Sequence, residues 1–224
     1  MTQELPSFNI VIPIYEGVDL MDVAAPYEMF NWMGFYWKEQ RVTVELVEAT
    51  GRTVKTRDGL KLTPDKTFDD YHRHHLQAQL IWVPGGDPQR LQEMMHDSCY
   101  LNFLREQSRA ASYVTSVCEG ALLLASAGLL DGYSATTHWS FIPCLKAFKK
   151  IKVAEGYPRY VVDRNRVTGG GISSGLDEAL ELIARVSSYD IAKNVQLTTQ
   201  YFPQPPFNGE IPGADKCPLK IKRA

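Results

Sequence analysis

Cys118 stands where a chain can do chemistry. It ends the β-branched run Tyr-Val-Thr-Ser-Val at residues 113–117, and the helix-forming run Glu-Gly-Ala-Leu-Leu-Leu-Ala-Ser follows at once. Ser116 and Gly120, two residues before and two after the cysteine, are both small. This is the pattern of a nucleophile elbow with a thiol in place of the usual serine, since a turn that sharp has no room for bulky neighbours. The turn sets the sulfur at a helix N-terminus, where unpaired N–H groups and the macrodipole favour an anion. A lowered thiol pKa and a sizeable thiolate fraction at neutral pH are therefore expected. The competing reading is a structural cysteine buried in a core strand, a common use of free cysteine.

A reactive thiol needs an acid that stays protonated beside it. Asp22 follows the first predicted strand, and a carboxyl facing a thiolate in a dry pocket is held protonated by desolvation and like charge. It can then donate a hydrogen bond to sulfur and deliver a proton. Its other reading is a cap for the next helix, a role Asp19 also suits. Gly85 and Gly86 follow Val83-Pro84, and glycines at a strand end allow close approach and free N–H groups. With the Glu119 N–H they could steady negative charge on a substrate, although a lone Pro-Gly-Gly is also an ordinary turn. The Glu119 carboxylate suits the helix dipole but opposes ionisation of its neighbour. His138, in Ala-Thr-Thr-His-Trp, is either a base near Cys118 or a structural residue.

Other clusters carry less. His72, His74 and His75 have no acidic or thiol partners that complete a ligand set, so they read as a solvated loop and no metal site is expected. Gly169–Gly171 lacks the spacing of a dinucleotide fingerprint, which removes a nicotinamide site. Cys99, Cys118, Cys144 and Cys217 form no CxxC pair, and four free thiols in a reducing compartment are expected.

Strands must carry these residues. Phe8–Tyr15 reads as a strand buried on both faces. Asp19–Gly34 has a helical pattern, with Asp22 placed in the preceding loop and Pro26 in the first turn. Further strands are read at Val42–Ala49 and Leu80–Val83, and a hairpin at Thr53–Leu62 turning at Asp58-Gly59. One long helix is read from Pro88 to Arg109. Gly128 closes the helix after the elbow. Ser134–His138 reads as a strand, Trp139–Lys149 as a helix, and Tyr157–Thr168 as a hairpin turning at Arg164-Asn165. Helices follow at Gly175–Ser187 and Tyr189–Thr199. Strands alternating with helices imply an α/β fold with a mostly parallel sheet covered on both faces. Sites in such sheets form at the carboxyl ends of strands, which gathers Asp22, Gly85, Gly86 and Cys118 on one edge. Residues 200–224 are rich in proline and glycine and are read as an extended arm on one domain spanning 1–224.

A chain of 224 residues with a formal net charge of -2 gives no reason to expect nucleic acid or an anionic membrane as a partner. No apolar run approaches the ~18 residues that span a bilayer, and the first residues lack a basic signal-type start. A cytoplasmic protein is the expectation.

The chain resembles the ThiJ/PfpI superfamily, within the class I glutamine amidotransferase-like proteins of flavodoxin-like fold. The resemblance covers nearly the whole chain and is carried by MDVAAPYEMF, IWVPGG, SVCEGALLLASAGLLDGYSATTHW, RVTGGGISSGLDEALELIA and VQLTTQYFPQPPFN. It is most similar to the isonitrile (isocyanide) hydratase branch and to the amidase-like domains of related regulators. The resemblance implies a homodimer with its site near the subunit interface, a nucleophile at Cys118, an acidic partner at Asp22, a small-molecule substrate, and no metal or organic cofactor. It departs at Glu119, where the hydratases carry threonine, and at Ala25-Pro26, where Gly-Pro is usual. The absence of histidine after Cys118 argues against the protease-like branch. The implied reaction is hydration of an isocyanide to an N-substituted formamide. The alternatives are a glutathione-independent glyoxalase-like activity using Cys118 with His138 or Glu119, and a non-catalytic redox-sensing dimer.

Overall fold

Of the run Phe8–Tyr15 only Asn9 is strongly polar, so a strand made from it needs cover on both sides. In the computed structural model, which describes residues 5–221, this run forms β1 (Ser7–Pro13), with Ile10, Val11 and Ile12 wholly buried. The chain continues through α1 (Leu20–Tyr36), β2 (Arg41–Glu48), a hairpin of β3 (Val54–Lys55) and β4 (Lys61–Leu62), β5 (Lys66–Thr67) and α2 (Phe68–Arg73). Then come β6 (Leu80–Val83), α3 (Pro88–Met94), α4 (Ser98–Ser108), β7 (Tyr113–Ser116) and α5 (Gly120–Ser126). The second half holds β8 (Ser134–Ala135), α6 (Ile142–Leu145), β9 (Lys152–Val153), β10 (Tyr160–Asp163), β11 (Arg166–Gly169), α7 (Ser174–Val186) and α8 (Tyr189–Thr198).

Seven strands form one sheet in the order β10-β11-β7-β6-β1-β2-β5. Every neighbouring pair is parallel except β10 with β11. Helices cover the sheet, giving the flavodoxin-like α/β fold that the alternating pattern predicts. The β10–β11 turn places Arg164 at φ 55°, and Gly128 closes α5 at φ 76°.

Several boundaries differ from those expected. Pro26 lies inside α1 rather than in its first turn, and Asp22 lies within the helix rather than before it. A proline there cannot donate to the carbonyl four residues back, which is that of Asp22. The Trp82 indole N–H takes that place, donating to the Asp22 carbonyl at 2.9 Å. The single helix expected over 88–109 is two helices. The Asp97 side chain caps the second by accepting from the Tyr100 N–H at 2.9 Å, and Tyr100 reaches on to the Pro13 carbonyl at the end of β1. The expected strand at 134–138 stops at Ala135, because Thr136 and Thr137 bond instead to Thr168 and Cys118. The stretch 139–149 is a short 3₁₀ turn and the brief α6, with Pro143 in its first turn.

The cysteines correct a further expectation. Cys144 and Cys217 form a disulfide across 73 residues, while Cys99 and Cys118 are free. The pair withdraws the cysteine argument for a reducing compartment. It also fastens the arm, which has no helix or strand over 201–221. Lys220 and Gln92 exchange two hydrogen bonds, and Leu219 is buried. Residues 222–224 of the arm lie outside the described residues. In the chain-entropy account, closing a 73-residue loop is worth about 4 kcal/mol. Reduction is therefore expected to lower the urea midpoint measurably, and a midpoint indifferent to reductant would remove any stabilising role for the bond.

Candidate active site

The two loops that leave the carboxyl ends of β1 and β6 are sewn together by main-chain bonds. The Asp19 N–H donates to the Gly85 carbonyl at 3.0 Å, the Asp87 N–H donates to the Gly17 carbonyl at 2.8 Å, and Val18 bridges Gly86. This stitching brings the opening turn of α1 against Cys118. One ligand-type atom from each of Asp19, Asp22 and Cys118 lies within 4.8 Å of the others. Asp19 is the extended N-cap of α1 and Asp22 lies in its first turn, so one helix start carries both carboxyls.

The elbow forms as its spacing predicts. Cys118 sits at φ 55°, a left-handed conformation that costs a non-glycine residue roughly 1–3 kcal/mol. Its N–H donates to the Gly170 carbonyl at 2.8 Å, and its carbonyl accepts from the Thr137 hydroxyl at 2.7 Å. The Ile172 N–H faces the sulfur. A Cβ at Gly120 would stand 2.0 Å from the Val83 carbonyl oxygen, so no other residue fits there. A Cβ at Gly85 would meet Glu119 Oε2 at 2.4 Å and Cys118 Cβ at 2.9 Å. Gly85 is thus the wall against which sulfur and carboxyl are packed.

The electrostatics reverse the expected thiolate. Cys118 is 1% exposed. Burial first, then Asp22 and Glu119, push its thiol well above the usual range, outweighing the Ile172 N–H. Burial also holds Asp22 well up, against the pull of the Gly85 N–H, which donates to its Oδ2 at 2.9 Å. Gly85 therefore has no free N–H to offer a substrate. The Glu119 carboxyl turns inward against the thiol and the Gly86 N–H, and burial pushes it up to about 7. Burial thus favours the neutral forms of the thiol and of Asp22, with Glu119 raised to about 7 beside them. A helix terminus lowers a thiol pKa only where solvent or cations help, and here two carboxyls and a dry wall oppose it.

Other groups complete the surroundings. Asp19 is buried and raised by burial, but Arg57 from the β3–β4 hairpin pairs with it at 3.0 Å and partly offsets this. Arg57 also lines a cleft of about 360 Å³ with Gly17, Asp87 and Arg90. The fully buried Tyr15 lies close enough to feel both Asp22 and Glu119. His138 is half-buried. Its Nδ1 is engaged by the Ser140 hydroxyl at 2.7 Å, its ring packs on Gly171, and burial lowers its pKa. No hydrogen bond among the described residues joins it to Cys118. A cation held by Asp19, Asp22 and Cys118 would have to compete with Arg57 for Asp19 and with the protons that burial favours on Asp22 and the thiol.

Sequence reading missed Asp19 as part of the site, Arg57, the Ile172 N–H and Trp82. Asp19 had a signal, its three-residue spacing from Asp22. The others arrive from distant segments. Trp82→Phe strands the Asp22 carbonyl inside the protein, where an unmade hydrogen bond costs about 1–3 kcal/mol. A urea midpoint equal to the native one would show that the carbonyl finds another donor.

A family model described as the DJ-1/PfpI family matches residues 9–185. The chain is 38% identical over 208 residues to isonitrile hydratase of Pseudomonas putida, covering 93% of this chain and 84% of that protein. It is 36% identical over 138 residues to the HTH-type transcriptional regulator GbdR of Pseudomonas aeruginosa, which is 60% of this chain but only 35% of the regulator. A solved THiJ/PfpI family protein from Pseudomonas syringae superposes with a TM-score of 0.80 at 33% identity, over 91% of this chain and 79% of that one. Drosophila melanogaster DJ-1beta shares the fold, with a TM-score of 0.73 at 18% identity over 87% of this chain and 98% of that one.

Proposed function

Because this chain belongs to the DJ-1/PfpI family, we propose that its elbow thiol hydrates an isocyanide, R–N≡C, to an N-substituted formamide. The observation that carries the reading is an elbow thiol packed between two carboxyls, Asp22 within 4.8 Å and Glu119 against the same Gly85 wall, both carboxyls raised by burial. Two titratable groups tuned apart supply an acid and a base at one pH. The similarity to isonitrile hydratase supports the substrate class.

The reaction closes on itself. Glu119 takes the thiol proton as sulfur attacks the terminal isocyanide carbon, and Asp22 protonates that carbon to give the thioimidate R–N=CH–S–Cys118. Asp22, now a carboxylate, takes a proton from water as the oxygen adds to the same carbon. Glu119 returns its proton to nitrogen. The C–S bond then breaks, the hydroxyl proton returns to sulfur, and formamide leaves. Each carboxyl ends as it began, and no metal or organic cofactor takes part. The Gly86 N–H faces the Glu119 carboxyl and helps hold its charge. A thiol on a residue only 1% exposed suits a slender terminal carbon better than a branched carbonyl.

Exposed apolar side chains on α1, among them Met21, Tyr27 and Phe35, support a homodimer. The test of function is turnover. Purified protein given an alkyl isocyanide is expected to yield the formamide, followed by NMR, and no lactate from methylglyoxal. Lactate without formamide would replace this reading with the glyoxalase-like one.

A further inference from the structure

Glu178, on α7, is a second buried acid that the reaction above does not use. It is wholly buried, and among the described residues no cation is a cause of its shift and neither of its carboxyl oxygens has a hydrogen-bond partner. The Ser116 N–H faces it without completing a bond, and Asp22 lies near enough to act on it by like charge. Gly169 makes room for it, since a Cβ there would stand 2.2 Å from Glu178 Oε2. Asp22 Oδ1 and the Ser116 hydroxyl, also buried, are likewise unpartnered. Ser116 ends β7 and precedes the elbow by two residues, so its hydroxyl belongs to the strand end that carries the sulfur.

A leucine or methionine would fill this space without an unpaired polar group, so the carboxyl is kept at a cost to stability. Unpartnered buried oxygens in one neighbourhood are the usual setting for enclosed water.

We propose that Glu178 is a positioning residue for Asp22, joined to it by enclosed water and the Ser116 hydroxyl, and that it serves Asp22 as a proton store out of reach of the substrate. While Asp22 is a carboxylate, the Glu178 proton passes to the bridging water, whose own proton moves to Asp22. As Asp22 takes the proton of the attacking water it gives its own back through the bridging water, and Glu178 is restored. No proton is gained or lost over a cycle. This inference rests on Asp22 being the acid of the proposed reaction, but its first test needs no isocyanide.

That test follows the Asp22 carboxyl by carbon-13 NMR against pH, with Asp22→Asn for assignment. Asp22 is faced by Asp19, Glu119, Cys118, Tyr15 and Arg57 and by Glu178 from α7, and only the last is varied. Glu178→Leu removes the donor that supports the Asp22 carboxylate and is expected to raise its midpoint by about one unit or more. Glu178→Gln keeps a donor of the same shape and is expected to leave the midpoint near the native one, while isocyanide turnover falls about tenfold, because an amide cannot release its proton. Should the leucine variant fail to fold, Ser116→Ala takes its place with the same upward shift. An Asp22 midpoint unmoved by these substitutions overturns the proposal. A moved midpoint without any isocyanide turnover leaves this coupling standing and removes the substrate assignment instead.

Discussion

Cys118→Ala is expected to abolish formamide production, a loss on the order of 10³-fold or more, because the covalent route has no other nucleophile. The substitution leaves the fold in place. The left-handed turn at 118 is fixed by the bonds to Gly170 and Thr137, which use only the main chain of this residue, and alanine occupies less space than cysteine. Circular dichroism and the urea midpoint should therefore be near native while product formation by NMR disappears. A variant that keeps a tenth of native turnover would show that water attacks the isocyanide directly. The carboxyls would then be the catalysts and the sulfur a bystander.

Glu119→Gln should have two large effects of different kinds. The first is kinetic. Native kcat/KM rises with pH through about 7 as the carboxyl ionises and becomes able to take the thiol proton. The glutamine variant loses that limb, and with it roughly 10²–10⁴-fold in rate, the usual worth of a positioned base. The second effect is on stability, and its sign is opposite. The folded pKa lies above the usual glutamate value of 4.5, so the native state binds more protons than the unfolded chain between 4.5 and about 7. Native stability thus falls as pH rises through that window. A shift from 4.5 to about 7 corresponds to about 3 kcal/mol. Glutamine carries no such charge, so the variant should match the native protein at pH 4 and exceed it by about 3 kcal/mol at pH 8. Urea titrations at the two pH values decide this. Parallel stability profiles for the two proteins would mean that Glu119 is solvated and ionised, and its role as base would fall.

The elbow was legible because its steric demand is local. Ser116 and Gly120 are small for reasons contained in one turn, and the 2.0 Å approach to the Val83 carbonyl shows what the second one avoids. The gathering of Asp22, Gly85 and Cys118 was legible for a similar reason, since each follows a strand end and parallel strands share one carboxyl edge. What failed was whatever depended on a distant partner. The thiolate expectation counted the helix terminus, which is local, and could not count two buried carboxyls or a dry wall. Pro26 reads as a first-turn residue because nothing nearby can replace its missing donor, and the replacement is an indole 60 residues from Asp22, whose carbonyl it serves. The disulfide was lost in the same manner, its halves 73 residues apart. The break between α3 and α4 is a different lesson. Asp97-Ser98 is a readable start signal inside a pattern that otherwise looked continuous.

The indole of Trp82 has a practical consequence. It is wholly buried, and its N–H is tied to the main chain of the residue whose carboxyl faces the sulfur. Any movement of that turn, whether from occupancy or from loss of a proton, changes the surroundings of a natural fluorophore. The protein therefore carries an optical probe wired to its own acid, one that can follow binding in a stopped-flow trace with no dye attached.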